Sequence, residues 1–220
     1  MNKSELEKLK LRLPKHPGIL RKEEYFNSAV LIPLVMVEGE YNFLFEKRAA
    51  NIRQGGEICF PGGEFDSEND SSYTDTAIRE TVEELGIDKE NISVVGILDT
   101  LIGPMGVTVD SFLGVLNIYN ISLLQFDKNE VEKIFLLPVS FFIKNQPEKY
   151  HVRMEINPTD IDKNGEKINT LPVKELQLPD RYSKTWRGRK HEVLVYKTSE
   201  GIIWGITAAL INEIVRKINS

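Results

Sequence analysis

One helix with marked ends and a row of glutamates constrains this chain more than any other segment. Helical periodicity runs from Tyr73 to Leu85, and Ser72 stands as an N-cap with an acidic residue three positions later. Gly86 follows where a helix C-terminus favours a left-handed residue. An apolar segment and the loop Pro61-Gly62-Gly63 come before this helix. The local order is therefore strand, glycine loop, helix.

Three acidic side chains lie together on this helix. Glu80, Glu83 and Glu84 are three and four residues apart, so they share one face. Like charges at this spacing are unfavourable without a compensating cation, and clustered carboxylates suit Mg²⁺ or Mn²⁺. Arg79 precedes Glu83 by four residues and can hold one carboxylate in place. The pattern predicts a divalent-metal site, although a solvated acidic helix face has the same spacing.

The composition excludes several classes of protein. The chain has 28 Lys+Arg and 33 Asp+Glu, a formal net charge of −5, so we expect no nucleic-acid binding. The longest apolar stretch, residues 29–37, contains Pro33 and is about half the length of a membrane-spanning helix, so we expect no membrane partner. The single cysteine, Cys59, excludes an internal disulfide and a cysteine-rich zinc site. The N-terminus opens with alternating charge that includes Glu5 and Glu7, which is unlike a signal or transit peptide, and we expect a cytoplasmic protein.

Periodicity and turn residues divide the chain into two parts. Residues 1–18 are predicted to form a helical appendage, with a helix over 4–13 that ends before Pro14. Residues 19–220 are predicted to form a single α/β domain with a mixed sheet, a closing helix over 204–218 and a long excursion near 157–190 with little regular structure. Strands are predicted at residues 28–37, 41–47, 57–60, 91–102, 109–119, 132–137, 149–155 and 192–197.

The segment from Arg79 to Ile87 resembles the signature of the Nudix hydrolase family, G-x5-E-x7-R-E-U-x-E-E-x-G-U, where U is a bulky apolar residue. It matches at every position except Thr81, which stands at an apolar site. The first half of the signature is less regular. Fifteen residues separate Gly63 from Arg79 where the signature has 13, and the position eight before Arg79 is Ser71 instead of glutamate. The resemblance implies the Nudix fold, a mixed β-sheet between α-helices.

A second stretch, residues 44–63, resembles the coenzyme A diphosphatases within that family. Their motif L-L-T-x-R-[SA]-x3-R-x3-G-x3-F-P-G-G is matched by Arg48, by Arg53 and by the closing Phe-Pro-Gly-Gly. Phe45-Glu46 replaces the Leu-Thr pair, and one residue fewer separates Arg53 from Gly56. The resemblance implies metal-dependent hydrolysis of coenzyme A or acyl-coenzyme A to 3′,5′-ADP and 4′-phosphopantetheine.

The resemblance also implies roles for individual residues. The expected ligands of Mg²⁺ or Mn²⁺ are Glu80, Glu83, Glu84 and the main-chain carbonyl of Gly63. The expected catalytic residues are Glu83, Arg79 and Glu130, the last as a general base from a separate loop, with Asp110 as a weaker candidate base. The expected substrate-binding residues are Arg48, Arg53, Gly62 and Gly63, since guanidinium groups pair well with phosphate.

Two alternative functions stay open at this level. The first alternative is a Nudix hydrolase of another nucleoside diphosphate compound, such as ADP-ribose or a dinucleotide. The second is a non-catalytic domain that binds a nucleotide. The presence of Glu80, Glu83 and Glu84 together favours an enzyme. The expected partner is a small-molecule substrate, and the apolar residues of the N-terminal helix allow a homodimer.

Overall fold

Four helices and fifteen strands make up the computed structural model, which describes residues 1–220. The helices are α1 (Lys3–Arg12), α2 (Tyr73–Leu85), α3 (Val139–Lys144) and α4 (Gly205–Ile218). The strands are β1 (Phe26–Val37), β2 (Glu40–Arg48), β3 (Ile58–Cys59), β4 (Gly62–Glu64), β5 (Ile92–Ile97), β6 (Leu101–Gly103), β7 (Val107–Leu116), β8 (Val131–Pro138), β9 (Glu148–Val152), β10 (Glu155–Ile156), β11 (Thr159–Ile161), β12 (Lys167–Asn169), β13 (Trp186–Arg187), β14 (His191–Thr198) and β15 (Gly201–Trp204).

The central sheet is mixed, as the sequence predicts. Its main order is β3-β2-β1-β7-β5, in which β1 and β7 run parallel and the other neighbours run antiparallel. Three further strands extend it, because β4 pairs with β1, β6 with β7 and β8 with β2. A smaller antiparallel sheet, β15-β14-β9, lies beside it, and β15 contacts β3.

Alternating side chains divide the core into two apolar layers. Leu31 and Leu44 point towards α2, whereas Ile32 and Phe43 point towards α3 and α4, because successive residues of a strand face opposite sides of a sheet. The helices therefore cover both faces, and the predicted mixed sheet between helices is confirmed. The face under α2 also holds the acidic residues of the candidate site.

Local signals place α2 as the sequence predicts. The side chain of Ser72 accepts a hydrogen bond from the backbone N–H of Asp75, and Gly86 adopts the left-handed conformation at φ 62°. Thr81, at the position where the signature has an apolar residue, is fully buried. Its hydroxyl donates to the carbonyl oxygen of Ala77 at 2.6 Å, so its polar atom is satisfied within the helix.

Several elements differ from the sequence prediction. The predicted strand 91–102 is split into β5 and β6, and β4, α3 and β15 were not predicted. β4 holds two glycines and is only three residues long, so it carries no alternating apolar pattern. Residues 157–190 contain the hairpin β11–β12, strand β13 and a short 3₁₀ turn, which is more regular structure than predicted.

The N-terminal helix α1 has no buried residue, and Asn2 caps it through a capping box with Glu5. The predicted helix over 4–13 is thus present within one residue at each end. None of the four helices has both the length and the apolar composition needed to cross a membrane.

Candidate active site

The glycine loop and the C-terminal half of α2 meet under the central sheet. Gly62 and Gly63 lie on β4 and pair with Val30 and Ala29 of β1. Above them, the side chain of Glu84 is only 3% exposed, and its Oε2 accepts a hydrogen bond from the backbone N–H of Gly62 at 2.9 Å. The loop therefore fixes one of the helix carboxylates through its main chain.

A second helix carboxylate lies directly against Gly63. A Cβ atom at this position would overlap the carboxyl group of Glu80, so no larger residue fits while Glu80 keeps its place. The side chain of Glu80 is 16% exposed. The close approach of the Glu80 carboxyl group therefore favours glycine at position 63.

Arg79 orients the acidic face of α2 and is itself held by Asp70. Its Nε and Nη2 donate to the two oxygens of Asp70 at 2.9 and 3.0 Å. Its Nη1 donates to Glu80 at 2.8 Å and to the exposed Glu83 at 3.1 Å. Sequence comparison did not find Asp70, because it stands nine residues before Arg79 whereas the signature has its acidic residue eight before. The signal available in the sequence was an acidic neighbour of Ser71.

Strand β2 adds a carboxylate that sequence analysis did not assign to the site. Glu46 is completely buried, and its Oε1 accepts a hydrogen bond from the thiol of Cys59 at 3.1 Å. The two residues are direct partners in the β2–β3 register. Nη1 of Arg48 lies 3.8 Å from Oε1 of Glu46 and 3.9 Å from Oε1 of Glu84. The side chains of β2 and α2 therefore converge around Arg48.

Burial dominates the electrostatics of these acids. It raises the pKa of Glu84 and of Glu46 well above the usual carboxyl value, and the neighbouring negative charges raise both further. Burial also raises the pKa of Glu80, against the lowering effect of Arg79. In contrast, hydrogen bonding to Arg79 lowers the pKa of Asp70 to about 2. The buried carboxyl groups of Glu84 and Glu46 therefore tend to hold a proton when no cation is bound, whereas Asp70 stays ionised.

The donor set fits a hard divalent cation, although the carboxylates are not gathered as a ready cage. No three Asp, Glu, His or Cys side chains converge in metal-binding geometry. Instead the oxygens are held by Arg79, by the N–H of Gly62 and by the thiol of Cys59. Oε2 of Glu46 is buried without any hydrogen-bond partner. Carboxylate oxygens are the ligands that Mg²⁺ and Mn²⁺ prefer.

The remaining predicted residues lie at different distances from this cluster. Glu130 is exposed just before β8, where its carbonyl oxygen accepts a hydrogen bond from the N–H of Ala49 at 2.8 Å, and its negative charge raises the pKa of Glu46 and of Glu80. Arg53 does not join the carboxylates, since its guanidinium lies 5.3 Å from the ring centre of Phe26. Asp110 accepts hydrogen bonds from Lys22 and Thr100, and its role as a base stays a prediction.

Several known proteins are similar to this chain in sequence. The chain is 36% identical over 135 residues to Nudix hydrolase 3 of Caenorhabditis elegans, covering 59% of this chain and 55% of that protein. It is 32% identical over 149 residues to the mitochondrial coenzyme A diphosphatase NUDT8 of Homo sapiens, covering 67% and 59%. It is 24% identical over 213 residues to the uncharacterized Nudix hydrolase NudL of Pectobacterium atrosepticum, covering 96% and 92%.

The chain spans less than two thirds of the first two of these relatives and nearly all of the third. The profile of the NUDIX domain matches residues 26–144, which is more than half of the chain and includes β1, the glycine loop, α2 and α3. The chain therefore belongs to the Nudix hydrolase family.

Proposed function

We propose that this Nudix hydrolase cleaves the diphosphate bond of coenzyme A or acyl-coenzyme A, giving 3′,5′-ADP and 4′-phosphopantetheine. The observation that carries the hydrolytic part is the buried convergence of Glu84 and Glu80 on Gly62-Gly63. The coenzyme A part is supported by the motif around Arg48 and by the 32% identity to the human diphosphatase.

The carboxylates of Glu80 and Glu84 would hold Mg²⁺ or Mn²⁺, with Glu83 assisting and the carbonyl of Gly63 as a further ligand. Nudix hydrolases generally need divalent metal ions. When bound, the cation neutralises diphosphate oxygens and lowers the pKa of a water molecule. Arg79 serves as a positioning residue, because it already binds the carboxylates of Glu80 and Glu83.

Two residues at the rim are proposed to act on the substrate and on water. Arg48 lies beside Glu84 with its side chain 21% exposed, so its guanidinium can reach a bound phosphate. Glu130 lies in the loop beside the end of β2, where its charge acts on Glu46 and Glu80, and it would accept a proton from the attacking water. Arg53 is exposed with its guanidinium over the ring of Phe26, and it is proposed to bind phosphate from there.

Product analysis tests this proposal. Purified protein is incubated with coenzyme A, ADP-ribose or a dinucleoside polyphosphate, each with Mg²⁺ or Mn²⁺, and the products are separated by chromatography. We expect metal-dependent release of 3′,5′-ADP from coenzyme A, reduced at least 100-fold in Glu84→Gln. Glu90→Gln is the matched control, because Glu90 is exposed and lies outside the cluster.

Two outcomes would contradict the proposal. Cleavage of ADP-ribose or a dinucleotide with coenzyme A left intact would reject coenzyme A as the substrate and support the metal-dependent hydrolysis. Binding of these compounds without cleavage, in a protein that melts cooperatively, would favour a nucleotide-binding domain. The cytoplasmic location and the homodimer stay predictions from the sequence.

A further inference from the structure

The roles proposed above leave the buried carboxylate of Glu46 without a function. Its side chain has no exposed surface, and Oε2 has no hydrogen-bond partner. Its other oxygen accepts a single hydrogen bond, from the weak thiol donor of Cys59. Glutamate is almost never fully buried unless it is paired, because losing hydration without compensation is costly. A buried and incompletely paired carboxylate therefore needs an explanation.

The strand register places Glu46 on the same side of the sheet as α2. Leu44, two residues earlier, packs into the apolar layer of α2, whereas Phe43 and Phe45 pack into the layer of α3 and α4. Because strand side chains alternate, Glu46 follows Leu44 and faces the helix glutamates. It lies within electrostatic range of Glu84.

The nearest cation of the chain does not satisfy this carboxylate. One guanidinium nitrogen of Arg48 lies within 4 Å of both Glu46 and Glu84, at 3.8 and 3.9 Å, which is too long for a hydrogen bond. These contacts involve only Oε1 of each residue, so Oε2 of Glu46 stays unpaired. The volume between β2 and α2 therefore contains carboxylate oxygens in excess of donors.

We propose that Glu46 is a further ligand of the divalent cation, so that the site takes carboxylate oxygens from strand β2 as well as from α2. This inference rests on the metal-dependent chemistry proposed above. It is a property of this chain, since the motif that residues 44–63 resemble has threonine at this position. A hard cation would satisfy the orphaned oxygen and offset the repulsion between Glu46 and Glu84.

Binding of Mn²⁺ alone, without substrate, tests the inference. Free Mn²⁺ is measured by electron paramagnetic resonance during titration of the wild type and of Glu46→Gln, which keeps the shape and removes the charge. We expect the dissociation constant to rise about tenfold or more. Glu132→Gln is the matched control, because Glu132 also lies on the central sheet but pairs with Lys47 at 2.7 Å on an exposed surface, and we expect less than a twofold change.

Melting curves in EDTA and in Mn²⁺ separate a ligand from a purely structural residue. If Glu46 is a metal ligand, Glu46→Gln should melt at or above the wild-type temperature in EDTA, and Mn²⁺ should raise its melting temperature by less than it raises that of the wild type. If Glu46 is only structural, the variant should melt at a lower temperature in EDTA, and Mn²⁺ should raise its melting temperature as much as that of the wild type. This outcome would overturn the inference. If Glu46→Gln does not fold, Glu46→Thr supplies the same comparison with a smaller polar group.

The outcome is independent of the substrate assignment. Mn²⁺ binding that depends on Glu46, in a protein that leaves coenzyme A intact, would support the inference and reject the proposed substrate. If the wild type cleaves coenzyme A and the Glu46→Gln variant binds Mn²⁺ as tightly as the wild type, the proposed substrate is supported and the inference about Glu46 is rejected. A wild type that binds no Mn²⁺ would reject both.

Discussion

Arg79 and Asp70 form a paired contact in which two guanidinium nitrogens donate to the two carboxylate oxygens at 2.9 and 3.0 Å. The side chain of Asp70 is 2% exposed, whereas that of Arg79 is 28% exposed. The hydroxyl of Thr76 also donates to Asp70, at 2.8 Å. The loop before α2 therefore fixes the arginine that in turn holds the acidic face of this helix.

Replacement of Asp70 should destabilise the protein and disturb the site. We expect Asp70→Asn to lower the free energy of unfolding by about 2–3 kcal/mol, because it leaves the partly buried Arg79 without its main partner. Urea denaturation measures the change. Asp99→Asn is the control, since Asp99 is 97% exposed and its loss should cost less than about 0.5 kcal/mol. Equal effects of the two substitutions would contradict the prediction.

The same pair gives a defined pH dependence of stability. Hydrogen bonding to Arg79 lowers the pKa of Asp70 to about 2, from an ordinary value of 3.8. A carboxylate with a lowered folded-state pKa stabilises the fold above the unfolded-state pKa and loses this contribution as the pH falls through the folded value. The stability advantage of the wild type over Asp70→Asn should therefore shrink by about 2 kcal/mol between pH 4 and pH 2. A stability advantage that stays constant over this range would show that the contact with Arg79 does not lower the pKa of Asp70.

Gly63 should tolerate no side chain while the site functions. A Cβ atom in Gly63→Ala would overlap the carboxylate of Glu80, so we expect that carboxylate to move and hydrolysis to fall at least tenfold. The free energy of unfolding should change by less than in Asp70→Asn, because Glu80 can swing towards solvent. Gly18→Ala is the control, since a Cβ there meets no atom within 4 Å. Full activity of Gly63→Ala would show that Glu80 need not lie against the loop.

Cys59 should react slowly with thiol reagents. Burial raises the pKa of its thiol well above the usual value, and the charge of Glu46 raises it further. Because the thiolate is the reactive form, we expect labelling at pH 8 to be at least tenfold slower in the folded protein than in urea. The rate of labelling is measured by the absorbance of the group that the thiol reagent releases. Equal rates would mean that the contact between β2 and β3 opens readily.

Helix α1 should be dispensable for stability. It has no buried residue, so removal of residues 1–13 should change the free energy of unfolding by less than about 1 kcal/mol. The cut leaves Lys22, which pairs with Asp110 of β7. Chemical denaturation measures stability, and sedimentation of both forms tests the predicted homodimer. A large loss of stability would show that residues 1–18 are part of the domain.

The sequence by itself determined the features that depend on neighbouring residues. The ends of α2 follow from Ser72 and Gly86, and the common face of Glu80 and Glu84 follows from helical spacing. The family follows from the spacing of the same segment. These features need no knowledge of the distant chain, because backbone hydrogen bonding and side-chain direction in a helix are set within four residues.

The tertiary structure decided which distant residues join that helix. Asp70 pairs with Arg79 because of the path of the loop between them, and the length of that loop in the sequence does not reveal this path. Glu46 looked like a substitution within a motif, yet the pairing of β2 with β3 and the packing of α2 bury it beside Glu84. The packing of its loop places Arg53 over Phe26, a contact that its place in the motif does not show. Strand register and helix packing join segments far apart in the chain, and burial then sets the charge that each carboxylate carries.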